Sequence, residues 1–121
     1  MKIGILCACA PEFEPYRATL GGESTFIHGM QRTDGVLCGH EISAVFCGIG
    51  KVNAALGAMT LIRDCGADRI IMSGVAGAIR RGVHIGQCVM ITDCIYHDLS
   101  PQLITDYHPS AVSYTHLTLP T

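Results

Sequence analysis

Asp68-Arg69-Ile70-Ile71-Met72-Ser73-Gly74-Val75-Ala76-Gly77-Ala78 is the stretch that decides the fold. Ile70, Ile71 and Met72 form an apolar run too short for a helix and ended by glycine. That predicts a strand buried on both faces. Gly74 and Gly77 let backbone come close to whatever lies beyond the carboxyl end of the strand. In open α/β sheets that edge is where ligands bind. A second turn of the same kind, Gly48-Ile49-Gly50-Lys51, follows the apolar run 42–46. The two turns suggest two walls of one pocket. Glycine turns that touch no ligand are also common in α/β proteins. Neither turn has the spacing of a Walker loop, and Gly-x-Gly-x-x-Gly does not occur.

Outward from these turns, the chain alternates. Residues 2–8 predict the first strand. Pro11 stands where a helix would begin, with Glu12 and Glu14 in its first turn, where acids favour the positive helix end. This helix should run to about Leu20 and stop at Gly21-Gly22. A strand is expected over 24–30, a turn at Thr33-Asp34-Gly35, and short strands on either side of Cys38-Gly39, the second over 41–47. Val52, Ala55, Leu56, Met59 and Ile62 have helical spacing and predict a helix over 52–65, ended by Gly66. Arg80-Arg81-Gly82 reads as an exposed basic turn. A last strand is expected over 87–94, followed by Tyr96-His97-Asp98. The order implies an α/β chain with a mixed sheet, without repeats and without a linker that would divide it.

Composition narrows the function. The chain has 121 residues, enough for one small domain, with 49% hydrophobic and 15% charged residues. A net charge of −2 gives no electrostatic case for nucleic acid or an anionic membrane. The apolar runs are too short to span a bilayer, and the N-terminus enters a strand pattern without a signal-peptide layout. The expected compartment is the cytoplasm. The seven cysteines include no Cys-x-x-Cys pair and are irregularly spaced. They are expected to be buried small hydrophobes in a reducing compartment, not disulfides or metal ligands.

The segment 112–121, Val-Ser-Tyr-Thr-His-Leu-Thr-Leu-Pro-Thr, has neither helical nor strand-like continuation. It can be back-translated into a string resembling a transposon-end adaptor from sequencing libraries. The expected organisation is therefore a natural portion over 1–110 and a non-native tail over 111–121.

Three motifs, in order and spacing, carry a resemblance. They are Gly48-Ile49-Gly50-Lys51-Val52-Asn53-Ala54-Ala55, Ser73-Gly74-Val75-Ala76-Gly77 and Tyr96-His97-Asp98, after an opening Met1-Lys2-Ile3-Gly4-Ile5. With them the chain resembles the nucleoside phosphorylase/hydrolase superfamily, and within it the 5′-methylthioadenosine/S-adenosylhomocysteine nucleosidases. The resemblance implies a three-layer α/β/α fold with a central mixed sheet, of which this chain would be the N-terminal part. It implies hydrolysis of the N-glycosidic bond of an adenine thionucleoside, with no cofactor and no metal. A homodimer is expected for the full-length parent.

Such a reaction needs a carboxylate to deprotonate water and an acid to protonate the leaving base. From the residues alone Glu12 reads first as a helix-start glutamate; by resemblance it is the water-activating carboxylate. Ala8 matches a position lining the pocket, and Ile49 one near the sugar and thioalkyl group. Val75, Ala76 and Gly77 match the turn against the ribose and base. Some relatives carry serine at the position of Val75, and the stretch after Asp98 lacks their acid-and-aromatic pattern. The resemblance places the purine-protonating aspartate and the ribose-binding glutamate in a C-terminal half that this sequence does not show. The 121-residue chain is therefore expected to be inactive alone. His97 and Asp98 are expected to be structural or at a dimer interface. The alternatives are a phosphate-dependent nucleoside phosphorylase, which needs arginines aimed at phosphate, and a non-catalytic nucleoside-binding module.

Overall fold

The computed structural model describes residues 1–79, 82–95 and 114–116. The chain forms two compact units, Met1–Gly77 and Ala78–Thr121.

The first unit contains strands β1 (Lys2–Cys7), β2 (Thr25–Ile27), β3 (Met30–Leu37), β4 (His40–Phe46) and β5 (Arg69–Met72). Helix α1 (Ala10–Leu20) follows β1, and α2 (Lys51–Arg63) joins β4 to β5. The sheet order is β2-β3-β4-β1-β5. β1 runs parallel to both β4 and β5, while β2, β3 and β4 form an antiparallel meander. The sheet is mixed, as the alternation predicts.

Side chains alternate across a strand, so each strand supplies both layers. Ile5 and Cys7 of β1 and Ile42 and Ala44 of β4 pack with Phe13 of α1. Leu6 of β1 and Val45 of β4 pack with Leu61 of α2. One helix covers each face, which is the expected three-layer α/β/α arrangement. Phe13 is 1% exposed and its ring centroid lies 6.3 Å from that of Phe46. An aromatic buried this fully is worth about 3–5 kcal/mol against alanine.

The structure corrects several expectations. Thr33-Asp34-Gly35 is not a turn but the middle of β3, paired with Ala44, Ser43 and Ile42. Gly35 serves close packing: a Cβ there would lie 2.7 Å from the Leu20 carbonyl oxygen at the end of α1. The expected strand 24–30 is interrupted at His28, which takes φ 49°, and Gly29, so the chain turns from β2 into β3. Ile70 packs with the α2 layer, yet Ile71 and Met72 are 51% and 57% exposed, so β5 is the edge of this sheet and not a strand buried on both faces.

The helical period predicted over 52–65 is present as α2, and its bulky stripe faces away from the sheet. Val52, Leu56, Met59 and Ile62 are exposed. The sheet receives the small residues Ala54, Gly57 and Ala58 together with Leu61. Small side chains let the helix axis approach the strands, so the bulkier stripe is left outside.

Cysteines divide likewise. All seven are free; Cys7, Cys47 and Cys65 are buried, Cys9 is half-buried, and Cys38, Cys88 and Cys94 are exposed.

In the second unit, β6 (Asp93–Ile95) pairs antiparallel with β7 (Tyr114–His116). The expected strand 87–94 is thus short and late, and a strand stands at 114–116 where no strand pattern was read. Arg80, Arg81, Tyr96, His97 and Asp98 lie outside the described residues. Among those described, no helix is long and apolar enough to cross a membrane.

Candidate active site

Three parallel strands, β4, β1 and β5, end at one edge. Cys7 stands opposite Phe46, and Leu6 opposite Met72. The ladder continues one step beyond the strands: Cys47 N–H donates to Cys7 O at 3.0 Å, and Ser73 N–H to Leu6 O at 3.0 Å. The turns after the three strands therefore open on the same side. This is the shared edge anticipated for Gly48-Ile49-Gly50 and Gly74-Val75-Ala76-Gly77.

Glu12 is the group that ties two of these turns together. It is the third residue of α1, whose N-cap is Cys9. Its side chain folds back over the helix start, where Oε2 accepts from Ala8 N–H at 3.1 Å and Cys9 N–H at 3.2 Å. The Cys9 bond is the acidic half of a capping box. The other oxygen does something a cap does not require: Oε1 accepts from Val75 N–H at 2.9 Å, 63 residues away. The Val75 N–H, first among the causes, holds Glu12 below the usual glutamate value of 4.5, opposed by burial and aided by Cys9 and Ala8. The carboxylate is therefore ionised at neutral pH. An ionised carboxylate offers about four acceptor directions. Backbone N–H groups take three, and the Cys9 thiol also bonds the carboxylate.

The structure brings Glu12, Ala8 and Val75 into one hydrogen-bonded group. Val75 takes part through its backbone, while its side chain is 87% exposed. A hydroxyl at this position is therefore not needed for contact with Glu12. Ile49 lies on the neighbouring turn and is 78% exposed; its carbonyl accepts from Asn53 Nδ2 at 2.9 Å. Ala76 and Gly77 are exposed, and no bond joins them to the Glu12 group among the described interactions.

Three residues at the site were not singled out from sequence. Cys9 is the N-cap beside Glu12, Asn53 braces the Gly48 turn, and Tyr16 reaches Ser73 with its hydroxyl 2.6 Å from Ser73 Oγ. Tyr16 had a signal: it stands four residues after Glu12 and so leaves the helix on the same face. Asn53 had none beyond its type.

A cavity of about 420 Å³ opens along α2, lined by His28, Met30, Asn53, Leu56, Met59 and Arg63 among others, and it touches the site only through Asn53 and Cys47. It contains none of the six expected site residues. The strand-end group is the better candidate on chemistry, because it combines a held carboxylate with the carboxyl edge of parallel strands.

The fold and this edge define a class: the chain belongs to the Phosphorylase superfamily, whose family model matches residues 2–118. Its similarities are more particular. A 5′-methylthioadenosine/S-adenosylhomocysteine nucleosidase of Bacillus cereus (strain B4264) is 32% identical over 100 residues, covering 82% of this chain and 43% of that protein. The solved nucleosidase of the same name from S. pneumoniae, with a transition-state inhibitor, superposes with a TM-score of 0.84 at 28% identity. That match covers 96% of this chain and 52% of the other. The counterpart from Colwellia psychrerythraea 34H, in complex with adenine, gives 0.83 at 29% identity, over 96% and 50% of the two chains. The chain thus spans about half the length of the relatives it matches.

Proposed function

We propose that this chain supplies the water-activating part of a hydrolase that cleaves the N-glycosidic bond of adenine thionucleosides, 5′-methylthioadenosine and S-adenosylhomocysteine. The products are adenine and the free thio-sugar. The observation that carries the reading is the Glu12 carboxylate, held by backbone N–H groups from two different strand ends.

As the glycosidic bond breaks, the ribosyl carbon takes on oxocarbenium character and water attacks it. Glu12 accepts the water's hydrogen bond on a carboxylate oxygen and takes the proton as the C–O bond forms. Three fixed N–H donors keep the carboxylate aimed, so no reorganisation is needed at the moment of reaction. Ala8 lines the wall beside it. Ile49 offers an exposed apolar side chain to the thioalkyl group, and Val75, Ala76 and Gly77 form the surface under ribose and base. Protonation of the departing adenine falls to a group in the family's other half. Methionine salvage is the metabolic setting that fits these products.

The exposed α2 stripe of Val52, Leu56, Met59 and Ile62 supports the homodimer expected for the whole protein. Seven unpaired cysteines suit the cytoplasm.

The test is incubation of the full gene product with each thionucleoside in phosphate-free buffer. Adenine and free thio-sugar should appear at a rate that added phosphate leaves unchanged. Release that requires phosphate and yields a sugar 1-phosphate would make the protein a phosphorylase. Tight binding with no release would make it a binding module.

A further inference from the structure

The mechanism above leaves one polar contact at the strand ends unused. The Tyr16 hydroxyl and Ser73 Oγ lie 2.6 Å apart, joining α1 to the residue that follows β5. A phenylalanine would fill the same space, as Phe13 does on this helix, so the hydroxyl itself needs a reason. Two residues beyond Ser73, the Val75 N–H donates to Glu12. The short turn Ser73-Gly74-Val75 is thus gripped twice by one helix face, by Tyr16 at its start and by Glu12 at its end. From β1 it receives one backbone bond, Ser73 N–H to Leu6 O. Beyond it, Ala76 and Gly77 are exposed and offer no further described anchor.

We propose that Tyr16 is a positioning residue, whose hydrogen bond to Ser73 fixes the glycine turn so that the Val75 N–H stays on the Glu12 carboxylate. The proposal rests on Glu12 being the water-activating base and deepens that reading. One flexible carboxylate does not hold an exposed turn well, because the turn and the side chain can drift apart together. A second, independent tie at Ser73 removes that freedom. The same tie controls the charge on Glu12, since the Val75 N–H is the foremost influence keeping it ionised. Besides the Tyr16 phenol on the same helix face, the titratable groups facing Glu12 among the described residues are thiols: Cys9 on its own turn, Cys7 from β1 and Cys47 beyond β4. Burial pushes the Cys7 and Cys47 thiols up, so both stay neutral while Glu12 titrates.

The experiment follows the Glu12 side-chain carboxyl by ¹³C NMR titration in the 121-residue chain. Wild type is compared with Tyr16→Phe, Ser73→Ala and the double variant. Each single variant should raise the Glu12 pKa by roughly 0.5–1 pH unit, the effect of weakening one hydrogen bond to a charged group. Exchange of the Val75 amide should quicken by about tenfold or more. The double variant should shift Glu12 no further than either single one. A packing role for Tyr16 would change the melting temperature and leave the Glu12 titration alone. An unchanged Glu12 pKa in folded Tyr16→Phe therefore overturns the proposal. If that variant does not fold, the same result in Ser73→Ala does so. Adenine release is assayed separately in the full gene product. Absence of turnover there, with the pKa shift present, would remove the functional reading and leave the positioning role intact.

Discussion

Gly74 and Glu12 are in contact across 62 residues of sequence, with no room for a side chain between them. A Cβ on Gly74 would lie 2.6 Å from Glu12 Oε1 and 2.9 Å from its carboxyl carbon. The glycine turn after β5 and the helix after β1 meet through this pair. The arrangement makes glycine a requirement of the carboxylate and not of the turn, since Gly74 has no positive φ.

Gly74→Ala should therefore act on Glu12 more than on the fold. The atom in the way is the far end of a side chain, which can swing aside where backbone cannot. In doing so it leaves the Val75 N–H. The expected result is a raised Glu12 pKa and a loss of turnover of about tenfold or more in the full gene product, because a small misplacement of a base is costly. Stability should fall by no more than about 1–3 kcal/mol. A normal kcat with a large drop in melting temperature would mean that the turn had moved instead.

Glu12→Gln should abolish most hydrolysis while retaining nucleoside binding, with kcat reduced on the order of 10²-fold or more. The amide cannot take a proton from water. Unlike a surface glutamate, Glu12 should also cost stability when neutralised, since the amide NH₂ faces N–H groups that need an acceptor. The folded-state pKa of Glu12 lies below its unfolded value, so its contribution is complete above about 4.5 and is lost as pH falls through the folded pKa. The melting temperatures of wild type and Glu12→Gln should therefore differ at pH 7 and converge in acid. Parallel curves down to pH 2 would deny the carboxylate its bonds.

Gly57→Ala sets two effects against each other. Alanine is favoured over glycine inside a helix by about 1 kcal/mol. Yet a Cβ here would lie 2.6 Å from both Cys47 Cβ and Leu6 Cδ1. Overpacking costs about 1–3 kcal/mol: Cys47 Cβ is fixed to the backbone, and the Leu6 methyl is a side-chain end but lies in the packed core. Urea unfolding should show a net loss of up to ~2 kcal/mol. A stabilised variant would place α2 farther from the sheet than described.

Thiol reactivity should separate the cysteines. Cys7 is fully buried and its thiol is pushed up to about 12, by burial first and then by the charge of Glu12. Cys38 is exposed at the tight turn between β3 and β4. Mass spectrometry after brief iodoacetamide treatment of the native chain at pH 8 should find Cys38 alkylated and Cys7 intact. Equal labelling of the two would show that the β1–α1 layer opens readily.

Much of this was legible in the sequence because it is local. Glycine after an apolar run marked the ends of β4 and β5, and Pro11 with Glu12 marked the start of α1. The period of α2 gives the helix but not its buried face, because Gly57 and Ala58 show that closeness to the sheet selects small residues there. Thr33-Asp34-Gly35 was misread because its composition is that of a turn. Only the approach of Leu20 explains Gly35 inside a strand. At the site, the type and place of Glu12 were readable, but its second partner was not. A backbone N–H donates from any residue, so Val75 left no sequence signal for this bond.

β1 is the first strand of the chain, yet both its partners come later. Lys2 pairs with Glu41, Ile3 with Arg69, and the Lys2 N–H bonds the Asp68 carboxylate over a separation of 66 residues. No short piece of the chain can assemble the edge where Glu12 sits. Closing such distant pairs slows folding relative to local contacts. During synthesis β1 must wait, apolar and unpaired, until β4 emerges, and again until β5 does. For that interval Ile3, Ile5 and Leu6 are a sticky stretch of the nascent chain, and a chaperone that shields β1 would raise the yield of folded protein.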